Sequence, residues 1–431
     1  MTELHRQQHD HLDRLQQDYA RVLAEHRYDG VLLYSGRPAR HFGDDQHASF
    51  SAYGHFVHWT GQASLAHSWL LVRPGEPPTL YLYAPADFWH LPARLPEEPW
   101  VARFRVELRD TPEPPPLPRG RYAVLGEASP AMAQALGAAA NPPALVAALD
   151  ELRVRKSDYE VACLRKANRR ALAGHRAARD AFLAGGAELD IQLAYLGAAR
   201  QRESELPYAN IVGVNAHGGV LHYQHYDLEP PGKRHSLLLD GGCRHRGYCA
   251  DITRTWPGPD AAPEFAPLVE GLTALQQRLI AGLAPGGSFV ALQRRLHEGL
   301  ATLLVEQQLV NASAEAVLES GLTRAFCPHG LGHLLGVQVH DVAGRVDAEG
   351  RPLPPPAEHP SLRLTRELEA GMVVTMEPGL YLIPMLLEAH RHRPEVAWRR
   401  LEALADHGGI RIEDNVLVTA EGPVNLTSRE G

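Results

Sequence analysis

The chain has 431 residues, of which 44% are hydrophobic and 22% charged, and its formal net charge is −8. At about 150 residues per domain this allows two or three domains, and the composition excludes wholesale disorder and a collagen-like repeat. No apolar run approaches the ~18 residues of a membrane span, and the basic residues are scattered, which argues against nucleic acid as a main partner.

The opening thirty residues are polar and carry no secretory h-region. Cys163, Cys243, Cys249 and Cys327 form no C-x-x-C pair or disulfide framework, so a reducing, cytoplasmic setting is expected. The spacing of Leu12, Leu15, Tyr19, Val22 and Leu23 predicts a helix over 11–26. Short apolar runs from Gly30 to Tyr34 and from Leu80 to Tyr83 read as strands of an α/β sheet. The segment TPEPPPLPRG at 111–120 is too rich in proline for helix or central strand, and reads as a linker or as a surface loop before a strand from Tyr122 to Leu125.

Ser157 and Glu160 stand three apart before a long helical pattern, the signature of a capping box. Beyond it, helices over 263–282 and 288–308 alternate with strand-like segments at 236–240, 247–256, 371–377 and 410–419. The stretches 341–362 and 384–408 read as loops.

Five acidic or histidine positions stand out by their surroundings. Asp240 ends the apolar SLLLD, and Asp251 lies eleven residues on, a distance a hairpin could close. Glu377 ends MVVTME, and strand alternation puts Glu413 on one face with Arg411. His333 closes the glycine-rich turn His329-Gly330-Leu331-Gly332-His333. Singly, each has an ordinary reading as a solvated strand end or a hydrogen-bonded core histidine. As a set they do not. Four converging carboxylates would be costly to bury and would repel one another unless cations neutralised them. Two divalent ions match four negative charges, and an oxygen-dominated set with one imidazole and no thiolate suits Mn²⁺, with Zn²⁺, Co²⁺ or Fe²⁺ as further options. No H-E-x-x-H, G-x-S-x-G or P-loop competes with this reading.

The motifs LLLDGG, CADITRTW, HGLGHLLGVQVHD, VVTMEPG and GGIRIEDN, in this order, resemble the dinuclear metallopeptidases of the pita-bread fold. Among these, the chain is most similar to bacterial prolidases (Xaa-Pro dipeptidases), and the likeness extends to FGDD, ADFWH and LPYANIVGVNAHGGVLHY. The resemblance implies an α+β chain: a smaller α/β domain over about 1–155, then a catalytic domain over about 156–431 with a curved, mainly antiparallel sheet covered by helices. It also implies metal ligation by Asp240, Asp251, His333, Glu377 and Glu413, with His222 facing the substrate and His340 contacting its carbonyl.

His329 would tune His333, line the specificity pocket or cap its own turn, and Arg411 would orient Glu413, meet a substrate carboxylate or form a structural ion pair. The implied reaction is hydrolysis of an Xaa-Pro dipeptide by a hydroxide bridging two divalent ions, with Glu377 moving the proton. A homodimer is implied, with the loop from Phe42 to Phe50 narrowing the pocket and admitting only small peptides. Removal of the first residue from longer Xaa-Pro peptides is the alternative within the same chemistry. A non-catalytic peptide-binding module is disfavoured by the complete ligand set.

Overall fold

The computed structural model describes residues 2–428, and these divide into two compact units. The first comprises residues up to Cys163 with Arg246–Tyr248 and Ala348–Arg351, and the second comprises Leu164–His245, Cys249–Asp347 and the chain from Pro352 onward.

The first unit is built on a six-stranded sheet. Its order is Arg105–Arg109, Thr79–Tyr83, Trp69–Val72, Gly30–Tyr34, Tyr122–Leu125 and Ala139–Ala140, with parallel and antiparallel pairings mixed. All five residues of Gly30–Tyr34 are buried, as a strand covered on both faces requires. The opening helix runs over Glu3–Glu25, longer than its apolar spacing alone indicates, because Thr2 caps it by accepting from the His5 amide. It buries Leu12, Leu15, Tyr19, Val22 and Leu23, the stripe read from the sequence. The proline-rich 111–120 segment is a loop inside this unit, leading into the strand Tyr122–Leu125, and not a linker.

The capping box forms as expected. The Ser157 amide donates to Glu160 Oε2 at 2.9 Å and the Glu160 amide to Ser157 Oγ at 3.4 Å, opening the helix Asp158–Ala184.

Strand pairings in the second unit are antiparallel. Ser236–Asp240 lies between Ile211–Val214 and Thr253–Pro257, Val373–Met376 pairs with Asp414–Leu417, and Gly379–Tyr381 pairs with Gly409–Arg411. Helices Phe265–Ala281 and Phe289–Glu306 appear where the periodicity placed them. Two expectations need correction. The segments 247–256 and 410–419 are not continuous strands but pairs of short ones, interrupted at Ala250–Ile252 and at Ile412–Glu413. Residues 384–408 are not simply loop, because the short helices Pro384–Leu387 and Trp398–Leu404 lie within them.

Candidate metal centre

The interruptions in the sheet fall at the acidic residues. Asp240 is the last residue of its strand, Asp251 lies between Cys249 and Thr253, Glu377 follows Met376, and Glu413 lies between Arg411 and Asp414. Leaving the regular ladder costs backbone partners, and these are replaced one by one. The Gly241 amide donates to the Ile252 carbonyl at 2.9 Å, that of Glu377 to Leu331 at 2.8 Å, and that of Glu413 to Thr253 at 3.0 Å. Around Asp251 the Asn415 side chain serves as a template, accepting from the Asp251 amide at 3.0 Å and donating to its carbonyl at 2.5 Å.

His333 reaches the same place through its glycine-rich turn. Its amide donates to Thr375 Oγ1 at 3.0 Å, and the Thr375 amide donates back to its carbonyl at 2.9 Å. A Cβ at Gly332 would collide with the Thr375 carbonyl, so only glycine lets the turn approach this strand.

Asp240, Asp251, His333, Glu377 and Glu413 all line one cavity of about 280 Å³, together with His222, His329, His340, Arg363 and Arg411. Ligating atoms of Asp251, His333 and Glu413 fall within 4.8 Å of one another. His333 Nε2 is 3.4 Å from Asp251 Oδ2 and 3.6 Å from Glu377 Oε1. The Tyr208 hydroxyl lies 2.7 Å from Asp240 Oδ1 and 2.5 Å from Asp251 Oδ1, although its single proton can serve only one of them.

The electrostatics call for cations. Burial, and then repulsion by Asp251, Glu377 and Asp240, pushes the Glu413 carboxyl well above its usual range. Burial pushes Glu377 up to about 7, with His333 and Arg411 opposing and Asp251 and Asp240 reinforcing. Asp240 is raised by burial despite the Arg411 guanidinium beside it. Burial also disfavours charge on His333, but Asp251 and Glu377 outweigh it and raise the imidazole. Four acids and one imidazole meet a single guanidinium in direct contact, that of Arg411 on Asp240, and divalent cations at these oxygens would supply the missing positive charge.

Two sequence comparisons bear on this geometry. Residues 162–420 match the profile of metallopeptidase family M24, and residues 6–150 match that of the Xaa-Pro dipeptidase N-terminal domain. The chain belongs to metallopeptidase family M24. A protein of *Marinobacter nauticus* named Xaa-Pro dipeptidase is 53% identical over 422 residues, covering 97% of this chain and 96% of the relative. One of *Aeromonas hydrophila* with the same name is 41% identical over 432 residues and covers 98% of each chain. Among solved structures, proline aminopeptidase P II from *Yersinia pestis* superposes with a TM-score of 0.73 at 23% identity, over 97% of this chain and 96% of that one. Aminopeptidase P from *E. coli* with the inhibitor Pro-Leu gives 0.75 at 20% identity, over 97% and 94%. These likenesses show the fold: an α+β chain with a pita-bread catalytic domain and a smaller α/β N-terminal domain. Metal dependence follows from the family and from the clustered ligating groups.

Within the M24 chain the other site residues divide. His340 packs edge-on against His333, with ring centroids 4.5 Å apart. Loss of hydration, and then the neighbouring His333, lower its pKa, so it stands neutral at pH 7. His222 is exposed at the cavity. His329 bonds its own turn at Gly330 O (2.9 Å) and the Tyr381 hydroxyl (2.9 Å), with burial and Arg411 pushing it down to about 4. Of the readings left open for Arg411, the ion pair is the one present, and its partner is Asp240. Its Nη2 donates to Asp240 Oδ2 at 2.8 Å and its Nη1 to Tyr381 at 2.8 Å. Glu413 is held instead by the Thr253 hydroxyl at 2.6 Å.

His217 lies in a short 3-10 turn and bonds Glu188, and His245 lies in the short strand Arg244–His245. Sequence reasoning missed Tyr208, although LPYAN carries it, and also missed Thr253, Asn415 and Arg363.

Proposed function

We propose that this chain is a cytoplasmic Xaa-Pro dipeptidase that holds two divalent ions, Mn²⁺ by preference, and releases free proline. The observation that carries this reading is the convergence of four carboxylates and one imidazole on a single cavity. Full-length relatives named Xaa-Pro dipeptidase supply the substrate class. The ion count rests on charge, two divalent cations against four carboxylates, and the choice of metal rests on an oxygen-rich donor set without thiolate. The domain boundary is assigned at about residue 155.

Asp240, Asp251, His333, Glu377 and Glu413 would hold the cations. When bound, these supply Lewis acidity to the scissile carbonyl and to a water nucleophile. The chain's own residues do the rest. Glu377 takes the proton of the attacking water and returns it to the leaving proline nitrogen. His340, neutral and beside His333, donates to the carbonyl oxygen as charge develops there, and His222 faces it from the exposed loop. Arg411 and Tyr208 hold Asp240 in place, and His329 holds Tyr381.

An Xaa-Pro bond is a tertiary amide with no N–H to recognise, so the ends of the dipeptide must be read instead. Arg411 is taken up by Asp240 and Tyr381, which leaves Arg363 on the cavity wall to receive the proline carboxylate. A volume at the small end of ligand pockets suits a dipeptide.

Association of two copies is supported by the apolar side chains that the first unit leaves exposed, Phe42, Phe88, Trp89 and Leu91. A reducing compartment is supported by four buried cysteines that form no disulfide with one another.

Turnover of Ala-Pro and of Ala-Pro-Gly with Mn²⁺ tests the reading. Faster cleavage of Ala-Pro is expected, with Arg363→Met raising KM for Ala-Pro much more than it lowers kcat. Preference for the tripeptide would overturn the dipeptidase assignment.

A further inference from the structure

His222 is exposed and lies in the segment between the strands Ile211–Val214 and Ser236–Asp240, so its place at the cavity depends on what fixes that segment. One buried side chain does so from outside the cavity. Glu188, 1% exposed, opens the helix Glu188–Ala199 and directs its carboxylate into the segment. Oε1 accepts from the Val214 amide at 2.9 Å and from His217 Nδ1 at 2.8 Å. Oε2 accepts from the Tyr223 hydroxyl at 2.6 Å and from the Asp227 amide at 2.8 Å.

These four donors lie on both sides of His222. The nearest, Tyr223, is its chain neighbour, and that ring is packed with Ile211, Leu238 and Tyr381. Two oxygens with four donors are saturated, so this carboxylate is arranged to organise the segment around it. No other residue type would do the same. A glutamine presents an amide N–H₂ to two of the donors, and an aspartate falls short by a methylene.

We propose that Glu188 is a positioning residue for the hydrolysis: its carboxylate fixes the segment 214–227 and so holds His222 at the cavity. This rests on the substrate-facing role assigned to His222 above.

The test is a double-mutant cycle on the metal-loaded full chain with Ala-Pro as substrate. Glu188→Gln is expected to lower kcat about tenfold, short of the ~100-fold that a misplacement of about 1 Å can cost, with KM and metal content nearly unchanged. In a His222→Ala background the same substitution should cost less than about twofold, because the side chain it positions is gone. Tyr223→Phe removes one donor but keeps the packed ring; it should lose about threefold in kcat, again only when His222 is present. It carries the test if Glu188→Gln does not fold. An equal loss with and without His222, or a change confined to KM, would overturn the role of Glu188 alone. Full kcat in His222→Ala by itself would overturn the role of His222, and the positioning claim with it.

Discussion

Among the described residues, two fully buried clusters bring histidine and carboxylate ligand atoms within 4.8 Å of one another, and they handle charge in opposite ways. In the first unit, His11, His58 and Glu160 gather around a single acid. Glu160 Oε1 is 3.3 Å from His58 and Oε2 is 3.7 Å from His11, while the Ser157 amide donates to it at 2.9 Å. Burial opposes its ionisation, but His58, His11 and Lys156 outweigh burial and hold the carboxyl far below its usual range. This cluster carries a single carboxylate, with Lys156 nearby and with burial holding His58 down to about 4 and lowering His11, so both imidazoles are uncharged at pH 7. In the second unit, Asp251, His333 and Glu413 share the cavity with Asp240 and Glu377, and three of those four acids are raised. That cluster carries four carboxylates. Residue types alone therefore do not mark a metal centre; the unbalanced charge does.

The largest expected effect separates the two. Asp251→Asn should abolish metal retention and lower kcat/KM with Ala-Pro by on the order of 10³-fold or more, the loss of several kcal/mol of charge stabilisation. Metal content by mass spectrometry and steady-state rates check it. Glu160→Ala should leave metal content and kcat alone but lower unfolding free energy by about 3–5 kcal/mol, the cost of leaving buried partners unmatched. Denaturant titration reads this directly, and a loss of bound metal would break the contrast.

Tyr208→Phe removes only the hydroxyl between Asp240 and Asp251. A ~10- to 100-fold weaker metal affinity is expected, as for other groups that orient ligands, and a titration with Mn²⁺ measures it.

The smallest effect lies outside both clusters. Burial pushes His175 and His297 down to about 3. Both are neutral when folded, whereas the unfolded chain takes up their protons near pH 6.5. Their stability contribution is therefore complete above that pH and is lost as pH falls from 6.5 toward 3. His175→Gln should flatten the pH dependence of unfolding free energy in this window by about 1.4 kcal/mol per pH unit, which denaturant midpoints at several pH values would show.

The four acids and the histidine that line the cavity were legible in the sequence because acids at the ends of apolar strands have no ordinary reason to be buried together. The helices and the first-unit strands were legible for the same kind of reason, since apolar periodicity and a capping box act over a few residues. The breaks at Ala250–Ile252 and Ile412–Glu413 were not, because the apolar pattern runs through them while the ladder does not. Three readings of Arg411 stayed open in the sequence, because the partner that its guanidinium reaches, Asp240, lies 171 residues away in the chain. Asn415, which holds Asp251 across 164 residues, and Glu188, which accepts from four donors, have no local signature. Their roles exist only once the chain has folded.

The most direct measurement is anomalous diffraction from a crystal of the chelator-stripped protein soaked in Mn²⁺. Two peaks are expected in the cavity, each bounded by carboxylates of Asp240, Asp251, Glu377 and Glu413, with His333 on one of them and no density at His11, His58 and Glu160. An empty cavity, or manganese at the first-unit cluster instead, would contradict the assignment.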